Sequence, residues 1–339
     1  RDYINYYNGN IPEEATPFLN SLIIRYPHMN KFYSSAVPTT QGLNAIFRSH
    51  IIMDKNLSGK NKPSLFRCAQ EKGIRGIFLN ASTQYYADEL REYPEQFGMQ
   101  EYYAREYLEK KGYVGASGWG YHNDVIYDEA LELLEKYKNE KVLLVAKTLD
   151  MHQPYPYVGV EDEVLPKAVQ AKGSITINGM YWVDTTLQSF FEKAKQRGLM
   201  NDKTLFVITS DHNPHSGGEY LDLVPNVADK FSIAPIPLIF VSENLIPLNN
   251  LRNHEFASQI DLAPTLLYLL GIESPSLFMG RNLLLPSDKT YALGYFGGNF
   301  DFWSEGVDFV GEVNKKEYDN DYVEVLNKYI LNYYALWHK

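Results

Sequence analysis

The sequence predicts an α/β fold: a mostly parallel central sheet with helices on both faces, followed by a small C-terminal α+β part. Three observations carry this. Short β-rich runs alternate with helical patterns, as strands joined by crossover helices must. The helical segments hold their apolar residues on one stripe. The apolar runs end abruptly in polar or turn residues, the place where open α/β sheets put their ligands.

Taken in order, Ser34 to Gly42 (SSAVPTTQG) leads into Leu43, Ile46 and Phe47 at helical spacing, so a hydroxyl of this segment is expected to cap a helix. Strands are expected at Gly73 to Leu79, Lys141 to Leu149, Lys203 to Ser210 and Ile236 to Ser242. Between them fall helices over Asp124 to Lys138, with Val125, Ala130, Leu131 and Leu134 on one stripe, and over Tyr181 to Arg197, stopped by Gly198. A helix from Asp261 to Leu270 has Pro264 in its first turn and Gly271 after its last. Beyond Ser287 the stretch YALGYFGGNFDFW reads as short strands and turns, and Asn320 to Trp337 as a closing helix. With no repeat or flexible linker to separate modules, residues 1–286 are expected to form one α/β domain and residues 287–339 a small subdomain packed on it.

A formal charge of −10 argues against a broad electrostatic grip on nucleic acid or anionic lipid, since both need a cationic surface. A phosphate-bearing substrate would then need a local cation. The single cysteine, Cys68, excludes an internal disulfide and any C-x-x-C metal knuckle. No run of eighteen apolar residues is present in these 339. Tyrosine is abundant, at 27 residues, and its apolar ring with a polar tip suits sugar or headgroup clefts as well as ordinary half-exposed packing.

The strand ends concentrate chemistry. KTLFVITS runs into Asp211-His212-Asn213-Pro214-His215, a carboxylate and imidazole able to hold a hard or borderline metal; a helix cap with a satisfied histidine is the alternative. KVLLVAKTL runs into Asp150-Met151-His152, a second imidazole at the same expected edge. The strand ending at Leu79 is followed by Asn80, Ser82, Thr83 and Gln84, a polar loop able to line a pocket or simply to face water. A hydroxyl at the start of the Leu43 helix would meet free N–H groups and a positive dipole end. Threonine is a poor nucleophile unless a metal or base lowers its pKa, so that hypothesis requires the Asp-His metal hypothesis.

Taken together, TPFLNSL (16–22), the Thr39 segment, Gly118-Trp119-Gly120, Ser210-Asp211-His212 and SQIDLAPTLL (258–267) resemble the sulfatase branch of the alkaline phosphatase superfamily. Within it the likeness is to phosphoglycerol transferases of the lipoteichoic-acid synthase type. Arylsulfatases use a C/S-x-P-x-R nucleophile motif, whereas positions 39 to 43 here read Thr-Thr-Gln-Gly-Leu, so a formylglycine sulfatase is not expected. The resemblance implies Thr39 as nucleophile and one divalent metal, Mn²⁺ favoured with Mg²⁺ or Zn²⁺ possible, held by Thr39, Asp211 and His212. It implies His152 and His215 as contacts of the transferred phosphate or its headgroup, with Asn80 and Gln84 lining the pocket. It also places one further ligand, a glutamate, at the end of a first strand expected upstream of Arg1. The implied donor is a phospholipid headgroup and the acceptor a glycan or lipid-linked hydroxyl. A membrane link through an upstream region and an extracytoplasmic catalytic domain are implied as well. Rival readings are a phosphoethanolamine transferase, a phosphodiesterase or phosphatase, and a non-catalytic glycan-binding protein on the same fold.

Overall fold

The computed structural model describes residues 1–51, 62–85, 87–115, 119–152, 165–214, 219–224, 234–251, 254–287, 290–296, 299–304 and 307–312. The expected closing helix over 320–337, together with His215 and Gly118, lies outside these residues. The strands are β1 (Phe32–Tyr33), β2 (Arg75–Asn80), β3 (Glu101–Tyr103), β4 (Val142–Lys147), β5 (Phe206–Thr209), β6 (Leu238–Val241), β7 (Ala257–Ser258), β8 (Tyr291–Phe296), β9 (Asn299–Ser304) and β10 (Val307–Glu312). The helices are α1 (Pro17–Arg25), α2 (Thr39–Arg48), α3 (Leu65–Glu71), α4 (Ala87–Phe97), α5 (Arg105–Lys111), α6 (Asn123–Lys136), α7 (Lys167–Gln170), α8 (Ile175–Gln196), α9 (Glu219–Leu223) and α10 (Leu262–Leu269).

All four strands read from the sequence are present, and β2 pairs in parallel with both β3 and β4. The pair β5–β6 is antiparallel, a local departure from the parallel expectation. Successive strand residues alternate between two apolar clusters, as the two-residue period requires. Ile77, Leu79, Leu144, Ala146, Phe206, Ile208, Ile239 and Val241 join one cluster with α1, α6 and α8. Phe78, Leu143, Val145, Leu205, Val207, Leu238 and Phe240 join the other with α2, α3 and α10. Helices therefore cover both faces.

One feature of the sheet is unusual for its centre. β4 pairs only with β2 and β5 only with β6 among the described residues, and every residue of these two strands is half-buried, whereas β6 is wholly buried. The far side of β6 is occupied, since Met29 donates to Leu238 and Phe240 to Pro27. Among the described residues β4 and β5 therefore each keep one edge without a strand partner.

The start of α1 shows how tertiary contact replaces local capping. Thr16 precedes the helix without capping it, and the Phe18 and Leu19 N–H groups instead donate to Asp184 of α8 at 2.9 and 2.7 Å. Asp184 is 1% exposed, and burial pushes its carboxyl up to about 6 although both N–H groups pull it down. A folded-state pKa above the unfolded one means the folded chain binds the proton more tightly, so stability falls as pH rises through the window from 3.8 to about 6. Two pH units at about 1.4 kcal/mol each give about 3 kcal/mol. Urea midpoints at pH 4, 5, 6 and 7 are expected to show this slope, and Asp184→Asn to remove it. An unchanged slope in the variant refutes the assignment.

The C-terminal strands form an antiparallel meander, β8–β9–β10. It is tied to the rest by Leu293 N–H donating to Ser258 Oγ at 3.3 Å and Tyr295 N–H donating to the Ser35 carbonyl at 2.9 Å. Ser258 and Asp261 form a reciprocal capping box ahead of α10, and Asp261 also holds Arg281 by a 3.1 Å ion pair. Gly271 follows α10 in the left-handed region (φ 71°), as the sequence predicts for a helix stop.

Candidate active site

Thr39 begins α2, but the expected cap is absent. Pro38 occupies the capping position, no side chain caps the helix, and the half-buried Thr39 hydroxyl makes no hydrogen bond among the described residues. Gln41 and Gly42 both donate to the Pro38 carbonyl. The N–H groups of Thr39 and Thr40 find no partner among the described residues, which leaves two donors and the positive end of the helix dipole beside a free hydroxyl. At its far end α2 stops at Ser49, in the left-handed region, whose hydroxyl donates to the Ile260 carbonyl at 2.6 Å.

Asp211 and His212 follow β5 directly, so the strand end fixes both. His212 Nδ1 lies 2.6 Å from the Asn213 carbonyl, which can only accept, so the proton sits on Nδ1 and the lone pair on Nε2. That Nε2 is 3.8 Å from Asp211 Oδ2. A carboxylate oxygen and an unprotonated imidazole nitrogen at this separation fit two positions around a divalent ion, with the carbonyl anchor acting as the usual orienting partner of a ligating histidine. Among the described residues no three His, Cys, Asp or Glu side chains converge on one metal position, so the arrangement offers two such side chains, Asp211 and His212.

Two contacts bring α2 and the β5 end together. Gly42 packs so tightly on the Asp211 backbone that a Cβ there would lie 1.8 Å from the Asp211 carbonyl oxygen. The buried Gln259 side chain donates to the carbonyls of Ser210 and Asp211 at 2.9 and 2.6 Å and accepts the Ser35 N–H at 2.8 Å. It clamps the loop before Thr39 to the Ser210-Asp211 backbone. Gln259 lies in the SQIDLAPTLL segment, and only the fold shows what it holds.

The other predicted residues divide. Asn80, fully buried at the end of β2, donates to Tyr102 Oη at 3.0 Å and accepts from the Ser82 N–H and hydroxyl. His152 is exposed on the loop after β4, its ring 4.8 Å from that of Trp119. Gln84 lies on the loop after β2 with its N–H donating to Glu106, away from the metal pair in its bonding. Sequence reading missed a buried polar group beside His152. Asp150 accepts from His122 Nδ1 at 2.7 Å, Trp182 Nε1 at 2.7 Å and the Asn123 N–H at 2.9 Å, which fixes His122 with Nε2 facing away from the carboxylate. The adjacent Asp150-Met151-His152 run was its one trace in the sequence.

Known proteins resemble this chain in sequence and fold. A sulfatase family model matches residues 1–272. Lipoteichoic acid synthase 2 of Bacillus subtilis (strain 168) is 20% identical over 308 residues, 85% of this chain and 46% of the relative. The chain spans about half the length of the curated relatives it matches. A protein of the alkaline phosphatase superfamily from Vibrio parahaemolyticus superposes with a TM-score of 0.74 at 19% identity, over 99% of this chain and 85% of that one. The lipoteichoic acid synthase LtaP from Listeria monocytogenes gives 0.71 at 17% identity, over 96% and 86%. These likenesses carry the α/β fold with its parallel strands.

Proposed function

The chain belongs to the sulfatase family, and on that premise we propose that it is a metal-dependent transferase that moves a phosphoglycerol-type group from a phospholipid to a hydroxyl acceptor through phosphothreonine at Thr39. The observation that carries the reading is the Thr39 hydroxyl, free of any capping bond and held at the same sheet edge as Asp211 and His212 by the Gly42 contact. Lipoteichoic acid synthases among the relatives favour phosphoglycerol over phosphoethanolamine, and the uncommitted nucleophile beside a metal-competent pair speaks against a glycan-binding role without catalysis.

Asp211, His212 and the Thr39 hydroxyl would hold one divalent ion, Mn²⁺ by preference. When bound, such an ion lowers the pKa of a hydroxyl and neutralises charge on phosphoryl oxygens. The chain's own groups do the rest. The Thr39 hydroxyl gives up its proton as its oxygen forms a bond to phosphorus, the bond to the diacylglycerol oxygen breaks, and that oxygen takes up one proton as it leaves. The unpaired N–H groups of α2 face the phosphoryl charge that develops. An acceptor hydroxyl then attacks the phosphothreonine, loses its proton and returns Thr39. His152 and His215 supply donors to the phosphate or its headgroup. The reading includes a glutamate as the remaining ligand. Residues 1–286 would act as the catalytic unit at the outer face of a membrane.

Full-length protein incubated with labelled phosphatidylglycerol and Mn²⁺ is expected to release diacylglycerol and to yield a glycerophosphate adduct on the Thr39 peptide. Absence of both sinks the proposal. Release with water as the only acceptor would favour the phosphodiesterase.

A further inference from the structure

Lys147 is the last residue of β4, and strand alternation places it with Leu143 and Val145 on the α2 face of the sheet. Asn80 reaches the same face after Phe78, and Thr209 after Leu205 and Val207. An ammonium has three donors, yet the only hydrogen bond of the Lys147 ammonium among the described residues is a long one, 3.4 Å to Asn80 Oδ1, an atom that already accepts twice from Ser82. Asp211 is near enough for its charge to act on Lys147, but no ion pair joins them. Burial pushes the Lys147 pKa down from its ordinary value and Asp211 pulls it up. At the end of β5, Thr209 Oγ1 is buried with no hydrogen-bond partner among the described residues. A half-buried cation with most of its donors unused is partly desolvated and still has room for an anion to join it. It cannot ligate a metal while protonated, and its charge repels a second cation, so what it selects is an oxyanion. This is the local cation that an acidic chain of net charge −10 needs for a phosphate substrate.

We propose that the Lys147 ammonium is an anion-binding group of this site, taking a non-bridging phosphoryl oxygen of the donor beside Thr39, with Asn80 and Ser82 setting its position. For the identity of the anion the proposal rests on the transferase reading. It makes Lys147 the phosphate side of the site and Asp211 with His212 the metal side.

Three readings on the full-length chain test it: calorimetric affinity for sn-glycerol 1-phosphate with Mn²⁺ present, affinity for Mn²⁺ alone, and turnover of phosphatidylglycerol vesicles. Lys147→Met is expected to weaken glycerol 1-phosphate about 10- to 100-fold, the loss of one charge-assisted bond, and to leave Mn²⁺ affinity within about threefold. Lys147→Arg, which keeps the charge, should recover most of the loss. Where Lys147→Met does not fold, Lys147→Gln gives the same comparison with the chain length kept. Glycerol 1-phosphate affinity unchanged within about twofold overturns the proposal. So does a loss that falls on Mn²⁺ instead, which would make Lys147 a structural partner of a metal ligand. The parent reading fails separately: a wild type that binds glycerol 1-phosphate through Lys147 but releases no diacylglycerol removes the transferase and keeps the anion site.

Discussion

Thr39→Ala is expected to lose about 10⁴-fold or more in turnover, since in the proposed mechanism it removes the atom that carries the covalent intermediate. Its stability should hardly change. Removing a capping threonine ordinarily costs about 0.5–2 kcal/mol, but the Thr39 hydroxyl caps nothing, so the thermal midpoint is expected to stay within the equivalent of about 0.5 kcal/mol. Thr39→Ser keeps the nucleophile and should retain most activity. Thr40→Ala, one position along α2, should retain it too. Turnover of phosphatidylglycerol and a thermal melt on all three check the set. Loss in Thr40→Ala with retention in Thr39→Ala would transfer the role to Thr40.

Gly42→Ala should damage the site from a residue that touches no substrate. The added Cβ would stand 1.8 Å from the Asp211 carbonyl oxygen and 2.8 Å from its carbon. Backbone held by Gln259 cannot swing aside as a flexible side chain would. α2 must therefore shift, and Thr39 with it. A misplacement of about 1 Å between nucleophile and metal pair costs about 10²-fold in kcat, and overpacking should cost about 1–3 kcal/mol of stability. Helix propensity predicts the opposite sign, because alanine in a helix is better than glycine by about 1 kcal/mol. A Gly42→Ala variant that is more stable and fully active would show that propensity wins and the contact does not limit the site.

The differences between reading and structure are instructive one by one. α8 was expected from Tyr181 but begins at Ile175, where the Ser174 side chain accepts the Ile177 N–H at 3.0 Å. The cap signal was present in the sequence, but polar Thr176 and Asn178 beside it blurred the apolar stripe. The hydroxyl cap on α2 failed for a local reason: Pro38 holds the capping position, and the following threonine is already helical. The antiparallel course of β6 could not be read from periodicity, since a buried strand has the same pattern in either direction. His122 was invisible as a site residue because its partner Asp150 is 28 positions away.

By itself the sequence determined the alternation of strands and helices, the Asp211-His212 pair at a strand end and the Thr39 helix start. Each depends on neighbours within a few residues, where period and turn chemistry act. Only the tertiary structure decided that Gly42 packs on Asp211, that Gln259 clamps the Thr39 loop, that Asp184 caps α1, and that Lys147 turns toward α2 with most of its donors unused. Those contacts join segments far apart in the chain, and such pairings are set by close packing and by the need to satisfy buried polar groups.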